Sequence, residues 1–170
     1  MMTAARSPKG FSLVEVLIAV VLVGLSITAL VVANNSFTQA NSFGADLSTA
    51  EFLVEQIREL TTMLPVVDPD VTTWTILGPE EATLADYDDV DDFDGFDSAA
   101  LGGPIDAGKQ PLTSFAAFRQ QVTVQRVNPS NFDEIWADDH DPPSDFVRVT
   151  VTVLQNNTQI SSTSWIRARY

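Results

Sequence analysis

Between Phe11 and Ala33 nearly every position is apolar and Glu15 is the only charge, a pattern that predicts a helix apolar all round. About 20 such residues are enough to span a bilayer. The pattern then changes. Asn34 to Gly44 is small and polar, with Phe37 and Phe43 the main apolar residues. Beyond it Ala50, Leu53, Val54, Ile57, Leu60, Thr61 and Leu64 recur at spacings of three and four, while Glu51, Glu55, Arg58 and Glu59 fill the other side. That is one apolar stripe on an amphipathic helix, ended by Pro65. Gly24 and the stretch from Asn34 to Ser36 are the places where such a long helix is expected to bend.

After Pro65 the period shortens to two. Val71 to Leu77 alternates weakly and predicts a short strand. Residues 79–111, rich in Asp, Gly and Ala with no sustained period, predict a long loop. Phe118 to Val127 reads as a strand, and Phe146 to Leu154 is the clearest one, with Val147, Val149, Val151 and Val153 alternating against Arg148, Thr150 and Thr152. Asn156-Asn157 predicts a turn into a returning strand from Gln159 to Arg169, with Ile160, Ser162, Ser164 and Ile166 on one face. The connection Asn128 to Asp145 is Pro- and Asp-rich, with Trp136 as its expected anchor. The expected fold is α+β: a long N-terminal helix whose outer half buries its stripe on an antiparallel sheet of about four strands.

Glu15 is out of place in an apolar helix, since a carboxylate costs about 2.5 to 3.5 kcal/mol at mid-bilayer and less near the interface. A partner is expected, and the nearest cations, Arg6 and Lys9, precede the Gly10-Phe11 junction. The run Lys9-Gly10-Phe11-Ser12-Leu13-Val14-Glu15 resembles the N-terminus of type IV prepilins and of type II secretion pseudopilins. In that family a short basic leader ends in glycine, the first mature residue is usually phenylalanine, the fifth is glutamate, and a hydrophobic helix follows. The resemblance covers about the first quarter of the chain. It implies that a prepilin peptidase cuts after Gly10 and N-methylates Phe11. The new α-amino group would be a cation that a neighbouring subunit presents to Glu15 during assembly.

The domain boundaries expected on this reading are a leader at 1–10, a transmembrane and assembly helix at 11–33, the outer half of the helix at 34–64, and a pilin-like globular β domain at 65–170. The resemblance places the chain first in the inner membrane as a single pass, then in a filament with the globular domain outside the cytoplasm. Its partners would be the peptidase, other pilin or pseudopilin subunits and the inner-membrane assembly platform. Arg6 and Lys9 before the apolar segment agree with a cytoplasmic N-terminus. A secretory signal cut after Ala33, or a plain anchor, explains the apolar length but not the Gly-Phe-x-x-x-Glu arrangement. Major pilins often carry a helix-kinking proline in this segment. None occurs here between Phe11 and Leu64, which favours a minor pilin or pseudopilin.

Composition narrows the function further. The chain has 170 residues, no cysteine and a formal charge of −14, so it has no disulfide or thiolate metal site and repels nucleic acid. Serine-nucleophile, phosphate-loop and HExxH patterns are missing, which argues against an enzyme. His140, the only histidine, stands among Asp138, Asp139 and Asp141 and reads as a solvated loop residue.

The densest chemistry is Asp86-Tyr-Asp-Asp-Val-Asp-Asp-Phe-Asp-Gly-Phe-Asp97. Carboxylate clusters hold hard cations such as calcium, and Asp88, Asp89, Asp91, Asp92 and Asp94 are the candidate ligands. The EF-hand pattern fails, because aligning Gly95 with its glycine puts Val90 and Leu101 at ligand positions. The reading preferred on sequence is a solvated acidic loop pinned to the sheet by Tyr87, Val90, Phe93 and Phe96. The alternative is a membrane-anchored binding module using this loop for calcium or a partner protein, and an enzyme using the Asp cluster with a divalent metal is a remoter one.

Overall fold

The computed structural model describes residues 10–68 and 77–169. Most of the strand expected at Val71 to Leu77 lies outside the described residues. Helix α1 runs unbroken from Leu13 to Thr62, through Gly24 and Asn34 to Ser36. The chain divides into two compact units, Met1–Gly44 and Ala45–Tyr170.

In the first unit no described residue covers the apolar side chains of α1. Leu30 is 71% exposed and Val20 65%. Four of its side-chain hydroxyls are nonetheless satisfied: Ser26, Thr28, Ser36 and Thr38 each donate to the carbonyl four residues back. This is how a polar side chain tolerates an apolar solvent.

In the second unit the stripe expected from periodicity is the buried one. Ala50, Leu53, Val54, Ile57 and Leu60 pack with Val122 and Val124 and with Val147, Val149, Val151 and Val153. Each such aliphatic side chain contributes about 1.5 to 3 kcal/mol on burial. The sheet holds β1 (Phe118–Asn128), β2 (Asn131–Ile135), β3 (Phe146–Gln155) and β4 (Thr158–Ala168) in the order β2-β1-β3-β4, every neighbouring pair antiparallel. Val122 faces Val151 and Val124 faces Val149 across β1 and β3, so one valine face lies under the helix.

The β3–β4 turn is made by Asn156 and Asn157 at φ 50° and 64°, the left-handed pair that a tight two-residue hairpin requires. A register shift at Val153/Leu154 follows. Past it Trp165 lies opposite Val149 and Arg167 opposite Val147, so those two join the core face while Ser162, Ser164 and Ile166 take the other. Arg167 then donates to the carbonyls of Thr61 and Leu64 (2.9 Å to the latter), supplying the cation that the last turn of α1 lacks.

Two expectations need correction. The Asn128 to Asp145 connection contains strand β2, exposed along its whole length and held by pairing with the end of β1 and by packing of Phe132 on Phe146 at 5.2 Å. Trp136 is no buried anchor: it stacks on His140 at 3.7 Å, and the His140 ring nitrogen lies 3.0 Å from the Pro142 carbonyl.

Candidate functional site

At the N-terminus of α1 the sequence Ser12-Leu-Val-Glu15 forms a reciprocal cap. The Glu15 carboxylate accepts from the Ser12 backbone N–H at 2.9 Å, and the Ser12 hydroxyl accepts from the Glu15 N–H at 3.2 Å. This capping box satisfies two of the N–H groups that every helix start leaves open. Glu15 thus has a hydrogen-bond partner within its own chain, a neutral backbone N–H rather than a cation. Gly10 and Phe11 precede the helix, both exposed, with Phe11 86% so. The peptide between them is therefore in accessible backbone outside the helix, followed by a capped helix start.

The acidic run is placed quite differently from a solvated loop. Asp89, Asp91 and Asp92 are 1%, 0% and 0% exposed. A 3-10 turn at Asp91–Phe93 folds the chain back on itself. The Asp92 carboxylate accepts from the N–H groups of Asp88 (2.8 Å) and Asp89 (3.2 Å), and Asp89 accepts from the Asp92 N–H at 3.1 Å. Val90 donates to the Pro65 carbonyl at 3.0 Å, which ties the turn to the end of the helix. Underneath, Phe93 packs edge-on against Tyr87 and Phe96 at 5.3 and 5.9 Å. The apolar residues of the run thus pull its carboxylates inward.

Glu80 and Glu81, outside the run, join it. The ligand atoms of Glu80, Asp89 and Asp92 lie within 4.8 Å of one another, as do those of Glu81, Asp88 and Asp92. Burial, followed by hydrogen-bonding contact with the Asp89 carboxyl and the charges of Asp89, Glu80 and Asp92, pushes the Asp91 carboxyl up to about 9. Glu81 is pushed up to about 7, first by its contact with the Asp92 carboxyl, then by burial. Burial likewise raises Asp89 and Glu80. Arg126, buried on β1, donates to the Asp138 carbonyl; burial lowers its pKa while the charges of Asp138 and Asp91 oppose that shift.

Residues 5–31 match the prokaryotic N-terminal methylation motif. The chain carries the motif characteristic of type IV prepilin-like proteins. No curated protein and no solved structure gives a match. In a prepilin-like chain the motif implies processing by a prepilin peptidase and assembly with other pilin subunits, and it indicates a structural protein rather than an enzyme. Consistent with a single-pass anchor, α1 is long and apolar enough to cross a membrane.

Of the five aspartates singled out in the run, the fold brings four together. Asp94 is elsewhere, accepting from the Val124 N–H at 2.8 Å on β1. Asp97 caps the next 3-10 turn through the Ala99 N–H at 3.0 Å and pairs with Arg119, whose guanidinium holds its carboxyl well below the usual carboxylate range. Sequence reasoning missed Ser12, whose S-x-x-E spacing was readable, and Glu80 and Glu81, which only folding brings to the turn. It also missed Gln120. That residue, fully buried on β1, accepts from the Ile105 N–H at 2.7 Å and donates to the carbonyls of Leu53 (2.9 Å) and Ile105 (3.2 Å), joining helix, loop and sheet.

Proposed function

We propose that the chain is a minor structural subunit of a type IV pilus or type II secretion pseudopilus, cut after Gly10, N-methylated on Phe11, and assembled through the apolar half of α1. The observation that carries this reading is the methylation motif set on a helix whose first, apolar half is exposed all round. Such a surface is soluble only in lipid or against other apolar helices, and a filament subunit needs the first before assembly and the second after it. The subunit waits in the inner membrane with its acidic globular unit outside the cytoplasm, and the assembly platform moves it into the filament.

The Ser12–Glu15 box adds a step to this account. Before assembly the Glu15 carboxylate is held by its own Ser12 N–H, so its burial near the membrane surface is partly compensated. On docking, the α-amino group of a neighbouring Phe11 brings a cation, and a charge-assisted bond is stronger than the one to a neutral N–H. Glu15→Gln separates the two roles, because a glutamine keeps the capping box but carries no charge. Filament incorporation of the Glu15→Gln chain, measured beside the parent in cells, should drop as far as that of Glu15→Ala. Incorporation of Glu15→Gln at the parent level would refute the charge-pairing role.

A further inference from the structure

The edge of β1 that faces β2 is closed from two sides and open between them. On one side the preceding loop pairs with Val122, whose N–H donates to the Phe96 carbonyl at 3.0 Å and whose carbonyl accepts from the Gly95 N–H at 3.2 Å. On the other the Trp136 N–H donates to the Arg126 carbonyl at 3.0 Å. Val124 lies between. Its N–H donates to the Asp94 carboxylate at 2.8 Å, and its carbonyl, which a strand turns to the same edge, receives no donor from either covering segment.

At this gap sits an open cavity of about 280 Å³ whose lining includes Asp94, Val124, Gln125, Ile135, Trp136 and Asp138. Its walls are held in place. The Trp136 ring stacks on His140 at 3.7 Å and 12°, the His140 N–H donates to the Ala137 carbonyl at 3.1 Å, and Arg126, buried on β1, donates to the Asp138 carbonyl.

The cavity offers a ligand mostly acceptors: two carboxylates, the Val124 carbonyl and an indole. No cation lines it, and a chain at −14 draws cations toward its surface. A polyol brings acceptors as well as donors, and for those the lining has only the Gln125 amide and the Thr123 hydroxyl beside the indole N–H. A guanidinium brings N–H donors in a planar fork and no acceptor, and its flat face stacks on aromatic rings. An ammonium carries the charge without the fork or the flat face.

We propose that this cavity takes an arginine side chain of a partner protein, with its guanidinium between the Asp94 and Asp138 carboxylates, an N–H on the Val124 carbonyl and its face against Trp136. The site lies wholly in the second unit and does not rest on the filament reading.

The test uses the full chain in detergent, labelled with nitrogen-15, and follows the indole N–H signal that Trp136→Phe removes while N-acetyl-arginine amide is titrated in. A saturable shift at millimolar concentration is expected. Asp94→Asn and Asp138→Asn should each weaken it by at least roughly threefold, as should about a tenfold rise in salt. An asparagine at 94 still offers an oxygen to the Val124 N–H, so its effect reads the lost charge and not a lost fold. The lysine counterpart should bind at least roughly fivefold more weakly, and the citrulline counterpart, neutral and of the same shape, should not bind. Free L-arginine, whose α-carboxylate meets an acidic surface, should bind more weakly than the capped form. No saturable shift would overturn the site, as would an equal shift from the citrulline or lysine counterpart, or parent-like binding in both asparagine variants. Tighter binding of free arginine than of the capped form would overturn the partner-protein reading in favour of a small-molecule site.

Discussion

Replacing Gln120 by leucine keeps the volume of a side chain at the centre of the second unit and removes only its polar bonds. In the parent the side chain provides the partner for the Ile105 N–H at 2.7 Å and a partner for the Ile105 carbonyl, both buried, and a further bond to the Leu53 carbonyl. Leu53 sits mid-helix and keeps its helical acceptor bond, so its loss is small. Ile105 has no such reserve, and each buried group left unpaired costs about 1 to 3 kcal/mol. Allowing for the better burial of an apolar side chain, Gln120→Leu should cost about 2 to 4 kcal/mol. For a unit of this size that is a fall in Tm of roughly 8 to 16 °C. The assay is thermal unfolding of the full chain in detergent, with amide exchange of the segment around Ile105 as the local readout. A fall of less than about 2 °C, with unchanged protection at Ile105, would show that this glutamine does not hold the loop to helix and sheet.

Arg167→Ala should lower stability by about 1.5 kcal/mol, because it strips the carbonyls of Thr61 and Leu64 of their charged donor at the end of α1, and a Tm within 1 °C of the parent would contradict that role. With chelator present, stability should fall as pH rises from about 5 to about 9. The folded pKa values of Asp91 and Glu81 are raised above their unfolded ones, so in that window the folded chain holds more protons than the unfolded chain and loses their benefit as they leave. Asp97, lowered by Arg119, stays ionised in both states there and opposes nothing until pH falls toward its unfolded value. Rising stability between pH 5 and 9 without metal would contradict this balance of protons.

The helical stripe and three strands were legible because each follows one period for ten residues or so. Ala50 to Leu60 repeats at three and four, and Val147 to Val153 alternates strictly. β2 was not legible, since Asn131–Ile135 is short, exposed on both faces and shaped by β1 rather than by its own pattern. The buried acids were misjudged for a related reason. A run of aspartates reads as solvated from its composition, but Val90 and Phe93, both fully buried, drag Asp91 and Asp92 in with them. Glu80 and Glu81 could not be assigned to the cluster at all, because the turn that brings them there is a tertiary event. At the N-terminus the methylation motif was legible, yet Ser12 was passed over because Glu15 was weighed against lipid and not against its own helix start.

The central claim is that the chain is delivered as a prepilin and matured at Gly10-Phe11. Intact-mass and peptide mass spectrometry of the protein isolated from its native cells tests it most directly. The account predicts a single mature N-terminus at Phe11 bearing one N-methyl group. A chain that begins at Asn34, or one that retains residues 1–10, would contradict it.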